Sequence, residues 1–268
     1  MIAELLPPTV MTAEAFGAPA RTRLFPGEDA AVATADPARQ AEFAAGRACA
    51  RAALARLGVP PGPVLPGRAG EPQWPPGVVG SLTHCPGYRA CAVAGAGDVA
   101  GIGIDAEPCR ALPAGLLAVV ATGRERRQLA ELAAASAGVP WDLLLFCGKE
   151  AAYKAWFPLT GRRLPWASVL VAITTGGFTA EVAGGFTAEV AGGDTAEVAG
   201  GFTAEVARGD TAEAAHGDTA EVAGAPGRGG DVVTCLTGRW MIRDGLVVTA
   251  ALVRRGGEAS AAGRTARA

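Results

Sequence analysis

The sequence lacks an apolar run of transmembrane length, although half of its 268 residues are hydrophobic. Alanine inflates that fraction. It also lacks an excess of charge of either sign. A formal net charge of −2 gives no reason to expect nucleic acid or a membrane as partner. The amino-terminal stretch Met1-Ile2-Ala3-Glu4-Leu5-Leu6-Pro7-Pro8 lacks the basic and long apolar regions of a signal peptide. The six cysteines (49, 85, 91, 109, 147 and 235) show no C-x-x-C and no zinc spacing. With no export signal, all six read as reduced thiols of a cytoplasmic protein. Histidine is reduced to His84 and His216. What remains is length enough for one large domain or two small ones.

Two short stretches carry chemistry. Gly101-Ile102-Gly103-Ile104-Asp105-Ala106-Glu107-Pro108 reads as a strand closed by its proline. Side chains on a strand alternate faces, so Asp105 and Glu107 project to one side and Ile102 and Ile104 to the core. Gly101 and Gly103 share the acidic face and read as the place where a ligand approaches the backbone. An isolated D-x-E is more often an ordinary strand end with two solvated acids.

The second stretch, Phe146-Cys147-Gly148-Lys149-Glu150-Ala151-Ala152-Tyr153-Lys154-Ala155-Trp156, reads as a helix led in by Trp141-Asp142-Leu143-Leu144-Leu145. Glu150 and Lys154 share a face, four residues apart. A surface helix with one ion pair, worth only a few tenths of a kcal/mol, does not explain two lysines and a glutamate in an apolar, aromatic segment. Charges there need partners or a ligand. Three carboxylates and two ammonium groups make the inventory for a hard divalent cation and a pyrophosphate.

Residues 178–225 are six copies of an eight-residue unit, beginning with Phe178-Thr179-Ala180-Glu181-Val182-Ala183-Gly184-Gly185. One copy is a plausible half-buried strand with a Gly-Gly turn. Three copies replace Phe with Asp and lose their only large anchor. The expectation is an insertion in which one copy serves as a strand and the rest form a mobile loop. Residues 37–57 and 124–135 read as helices, 59–78 as loop, and 88–107 as two strands around Ala96-Gly97-Asp98. Val232–Leu236, Trp240–Ile242 and Leu246–Val253 read as closing strands, and residues 255–268 as a disordered tail.

Further segments join the two motifs in a recognisable order. They are Gly46-Arg47-Ala48-Cys49-Ala50-Arg51, Gly70-Glu71-Pro72-Gln73-Trp74-Pro75, Gly80-Ser81-Leu82-Thr83-His84-Cys85, Pro158-Leu159-Thr160 and Gly238-Arg239-Trp240. Any one is weak evidence; the ordered set resembles the 4'-phosphopantetheinyl transferases of the single-chain enterobactin-synthetase component D and Sfp type. Gly148 stands where relatives often carry Ala or Ser, and Arg163 where they often have an aromatic residue.

That resemblance implies an α+β fold of two similar α/β halves related by a pseudo-two-fold, with coenzyme A between them. By it, residues 1–100 form the half that contacts the nucleotide, and residues 101–254 the half with the metal and the catalytic residues. The implied reaction is Mg²⁺-dependent transfer of 4'-phosphopantetheine from coenzyme A to a serine of an apo acyl or peptidyl carrier protein, releasing adenosine 3',5'-bisphosphate. Secondary-metabolite or enterobactin-type siderophore synthesis would be its setting, and a cytoplasmic monomer its form.

The resemblance also assigns roles. Asp105, Glu107 and Glu150 would bind Mg²⁺, with Glu150 also taking the serine proton, and Lys149 and Lys154 would pair with the phosphates. Arg39 and Arg47, roughly aligned on one helix, together with Arg68, Thr83 and His84, would hold the nucleotide. A lone histidine is more often a structural hydrogen-bonder than a catalyst, so His84 is assigned to binding. Arg124, Arg126 and Arg127 are the candidates for docking an acidic carrier. Two rivals are a non-catalytic coenzyme A-binding protein on the same fold and a repeat-driven interaction protein. The intact Asp105, Glu107, Glu150 and Lys154 argue against the first. The small share of the chain taken by the repeat argues against the second.

Overall fold

The computed structural model describes residues 1–19, 22–182 and 235–254. In chain order the strands are β1 (Met11–Phe16), β2 (Val78–Cys85), β3 (Tyr88–Gly95), β4 (Gly101–Pro108), β5 (Val169–Thr174), β6 (Gly177–Val182), β7 (Cys235–Arg243) and β8 (Leu246–Val253). The helices are α1 (Pro26–Val32), α2 (Pro37–Arg56), α3 (Leu116–Val120), α4 (Gly123–Ala135) and α5 (Trp141–Thr160). One antiparallel sheet has the order β1-β3-β2 and the other β4-β8-β7-β6-β5. The α+β class stands.

Local chemistry sets the element ends. Asp36 caps α2 by accepting from the Arg39 amide at 2.9 Å, and Pro37 follows at the first helical position. Thr122 and Glu125 form a capping box at the start of α4. Gly161, at φ 64°, ends α5. Asp244 and Gly245, both at positive φ, make the tight turn between β7 and β8.

The two sheets meet along β2 and β4 without a backbone ladder between them. Ser81 Oγ accepts from the Ile104 amide, and Thr83 Oγ1 from the Ala106 amide, both at 3.1 Å. Side-chain hydroxyls of one sheet thus satisfy buried backbone donors of the other. Thr83 and His84 lie within β2, beside this seam.

Helix α5 lies directly over β4, and the glycines explain how. A Cβ on Gly103 would sit 1.8 Å from the Ala151 carbonyl oxygen, and one on Gly101 2.5 Å from that of Ala155. The close approach anticipated at these glycines is made by the backbone of α5 and not by a ligand. Ile102 and Ile104, on the other face, are buried as expected.

The first octapeptide copy supplies β6, paired to β5 and β7. Its Phe178 is buried against Gly238, where a Cβ would fall 2.1 Å from the ring. Burying such a ring contributes about 1.5–3 kcal/mol, which an Asp-headed copy forgoes. The copies from Phe186 onward, the segment Val232–Thr234 and the tail 255–268 lie outside the described residues.

Candidate functional site

A cleft of about 380 Å³ opens between α2, the loop around Pro66–Pro72, β2, β4 and α5. Arg39, Arg47, Thr83, His84, Asp105, Glu150 and Lys154 all line it. Residues more than a hundred positions apart are thus brought to one wall and floor.

Asp105 is the buried centre, 1% exposed. Its Oδ1 accepts from Lys154 Nζ at 2.7 Å and from Thr83 Oγ1 at 3.4 Å, while Oδ2 is buried with no partner. Lys154 also donates to the Ile104 carbonyl at 3.3 Å. Burial disfavours its ammonium form, but Asp105 and Glu150 outweigh that and raise its pKa.

The remaining acids are crowded. Burial pushes Glu150 up to about 7; Lys154 pulls it down and Asp105 pushes it further up. Burial, and then Asp105, push Glu107 up to about 8. Glu107 is half-buried on β4 beyond the cleft lining, yet close enough to feel Lys154, Arg110 and Glu150. Excess buried negative charge with one orphaned carboxylate oxygen fits a bound cation. Among the described residues, no three His, Cys, Asp or Glu side chains enclose a metal by themselves.

The other wall is cationic. Arg39 Nη1 lies 3.1 Å from His84 Nε2. An arginine only donates, so Nε2 is the acceptor and His84 is neutral in this pairing. Burial, then Arg39, Lys154 and Arg89, push the imidazole down to about 4. Arg47 is 6% exposed, donates through Nε to the Val64 carbonyl at 2.6 Å, and stacks 4.0 Å over Phe43. Burial lowers its pKa to about 10, which leaves it charged at neutral pH.

Two expected residues are elsewhere. Lys149 does not reach the cleft. It is fully buried, and its Nζ donates to the Val120 carbonyl at 2.6 Å, Glu125 Oε2 at 2.9 Å and the Trp166 carbonyl at 3.0 Å. Its three N–H groups have their three acceptors, which corrects the expectation that it pairs with phosphates. Arg68 is exposed and outside the cleft lining, although its neighbours Ala69 and Gly70 belong to it. Arg124, Arg126 and Arg127 are exposed on α4, and Arg126 donates to the Ala121 carbonyl at 2.7 Å.

Sequence reasoning missed other contributors. Glu71, Tyr153, Phe157 and Arg163 line the cleft near its α5 end. Tyr153 belongs to the helical motif and sits one residue before Lys154, so its place on α5 follows from the sequence. Arg163, marked in the sequence only as a departure from relatives, follows α5, and its charge acts on the Tyr153 hydroxyl.

An acidic floor beside a lysine, facing an arginine wall, has the charge arrangement that phosphoryl chemistry calls for. The profile of the 4'-phosphopantetheinyl transferase N-terminal domain matches residues 27–94, and that of the 4'-phosphopantetheinyl transferase superfamily residues 101–192. Three curated relatives carry the same activity in their names. Svp of Streptomyces mobaraensis is 54% identical over 68% of this chain and 76% of its own length. PptT of Mycobacterium tuberculosis is 44% identical over 65% of this chain and 78% of its own. Npt of Nocardia iowensis is 38% identical over 93% of this chain and 98% of its own. The chain belongs to the 4'-phosphopantetheinyl transferase superfamily and is an enzyme, a transferase.

Proposed function

We propose that the cleft between α2 and α5 is where this enzyme transfers 4'-phosphopantetheine from coenzyme A to a serine of an apo acyl or peptidyl carrier protein. The reading extends to the single-chain component D and Sfp type and to Mg²⁺ dependence. The observation that carries it is Asp105, whose Oδ1 is held by Lys154 and whose buried Oδ2 has no partner, facing Arg39, Arg47 and His84 across one cleft.

Each side chain then has a task. Asp105, Glu107 and Glu150 are the acids assigned to Mg²⁺; since no three of them enclose an ion by themselves, one or two would bind it directly and the rest of its shell would come from water and substrate phosphates, with positive charge supplied beside the pyrophosphate. Lys154 orients Asp105 and offers positive charge to the phosphate nearest β4. Arg39 and Arg47 bind the adenosine end of coenzyme A and its 3'-phosphate, with His84 steering Arg39 from behind. Thr83 supports Asp105 as well as lining the nucleotide side. Glu150, held near neutral pH, is matched to take the serine proton directly or through a water. Adenosine 3',5'-bisphosphate leaves from the arginine wall.

Residues 1–100 and 101–254 are read as two related halves. A parallel between them supports this. Glu28 of α1 and Glu125 of α4 are both buried, and each accepts from a cation on the following long helix, Arg51 or Lys149. Each also accepts from a backbone amide further on, Val64 or Val171. A cytoplasmic monomer is the form we propose. Cys49, Cys85, Cys91, Cys109 and Cys147 are free, and no described helix is long and apolar enough to cross a membrane.

The test is mass spectrometry of an apo carrier protein incubated with the enzyme, coenzyme A and Mg²⁺. A gain of one phosphopantetheine on the carrier serine is expected. No gain across fatty-acid, polyketide and nonribosomal carriers sinks the reading.

A further inference from the structure

The mechanism leaves unused three deeply buried charges outside the cleft, Glu28, Glu125 and Lys149, and with Arg51, which is 17% exposed, they form two pairs of one architecture. Glu125 is 3% exposed. Its Oε2 accepts from the Thr122 amide and hydroxyl at 2.8 Å and from Lys149 at 2.9 Å, and its Oε1 from the Val171 amide at 2.8 Å. Through the carbonyls of Val120 and Trp166, Lys149 adds the end of α3 and the turn before β5. Four segments, the end of α3, α4 with its cap, the turn before β5 and β5 itself, are thus tied to α5 at one point, the residue immediately before Glu150. Glu28 is fully buried in the other half. It accepts from the Phe25 amide at 3.0 Å, the Val64 amide at 2.9 Å and Arg51 at 2.9 Å. Val64 in turn holds Arg47 through its carbonyl.

We propose that these pairs are positioning clamps, one for each wall of the cleft: Glu125–Lys149 sets the rotation of α5 that presents Glu150 and Lys154, and Glu28–Arg51 sets α2 and Val64, which present Arg39 and Arg47. Replacing a buried ion pair by apolar residues often leaves stability unchanged or higher, so stability alone does not account for two of them. A saturated ionic node has one low-energy arrangement, whereas an apolar contact tolerates small rotations of a helix. Rotation of α5 moves the Glu150 carboxylate and Lys154 relative to Asp105, which sits on a different element. Sub-ångström placement of reacting groups is where such shifts are felt.

This rests on the proposed transfer reaction, and the experiment separates the two. Wild-type enzyme, Glu125→Gln, Lys149→Met, the double variant and Glu28→Gln are compared with coenzyme A, Mg²⁺ and an apo carrier that the wild type loads. Each is assayed well below its melting temperature. Glu125→Gln, whose side chain never reaches the cleft, is expected to lower kcat by about a hundredfold with KM for coenzyme A unchanged. Lys149→Met should match it, and the double variant should be no worse than either single one, because all three break the same clamp. The double variant removes both charges, so it covers the case in which Lys149→Met leaves Glu125 uncompensated and fails to fold. Glu28→Gln should instead raise KM for coenzyme A.

A Lys149→Met variant with raised KM beside a Glu125→Gln variant of wild-type kinetics returns Lys149 to the phosphates and overturns the proposal. So does a loss of melting temperature alone, with wild-type kcat and KM in the folded enzymes. Failure of the wild type to load any carrier removes the functional reading instead.

Discussion

Asp105 does three jobs at once: it is buried, it anchors Lys154, and it keeps one oxygen free. Asp105→Asn retains the shape but loses the charge. Transfer should fall below detection with the melting temperature little changed, as read by carrier loading and a thermal melt. Wild-type turnover in that variant contradicts its role. The neighbouring glutamates make stability depend on pH. Their values, about 8 for Glu107 and about 7 for Glu150, lie above the ordinary 4.5. The folded chain therefore holds more protons than the unfolded chain between those limits. The stability these two groups contribute is complete below 4.5 and is lost as pH rises through 7 and 8. In EDTA, the melting temperature of the wild type should fall over that window relative to a Glu107→Gln/Glu150→Gln variant. Mg²⁺ with coenzyme A should narrow the gap at the alkaline end. Parallel curves for the two proteins in EDTA would show that these acids are not crowded.

Helix α5 is the element on which the site depends, and the glycine within it and the glycine of β4 beneath it have opposite environments. Gly148 lies in the helix interior, and a Cβ there would meet Val171 and Phe178 at 3.6–3.7 Å, ordinary contact. Gly148→Ala should stabilise the protein by about 1 kcal/mol, seen as a raised melting temperature with transfer unchanged. Gly103 of β4 is the reverse. Its Cβ would strike the backbone of α5 at Ala151 and Ala155. Gly103→Ala should force the helix off the sheet, losing both melting temperature and loading. A folded, active Gly103→Ala enzyme would mean that α5 sits further from β4 than described. Helix α5, the D-x-E strand and the helix beginning at Pro37 were legible because each follows from local spacing. The partner of the glycines was not, since a glycine in a strand records only that something comes close.

At the scale of the whole molecule, the first octapeptide copy supplies β6 of the described structure. Phe178 packs between Gly148 and Gly238, and the partners Glu181 and Cys235 bring the ends of β6 and β7 together. Deleting residues 186–225 leaves residues 183–185 and 226–234 to join those ends. Shortening a connection changes closure entropy by only about 0.6 kcal/mol per halving. The deletion should keep both the melting temperature and the loading rate, measured beside the full chain. A variant that unfolds or loses transfer would show that the later copies are part of the working structure.

The sequence by itself determined the transferase family, the acid pair on one face of a strand and the Glu150–Lys154 pair on one face of a helix. These are properties of period and order along a chain. Only the tertiary structure decided which of the flanking lysines serves the cleft. Lys149 and Lys154 look equivalent in a helical motif, but one meets Glu125, Val120 and Trp166 and the other meets Asp105. Their partners come from other elements, so the choice is made by packing and not by spacing. The same holds for Arg68, which lies outside the lining, and for Arg163, which lies within it. A charge on a loop acquires a role only when the fold shows what it faces.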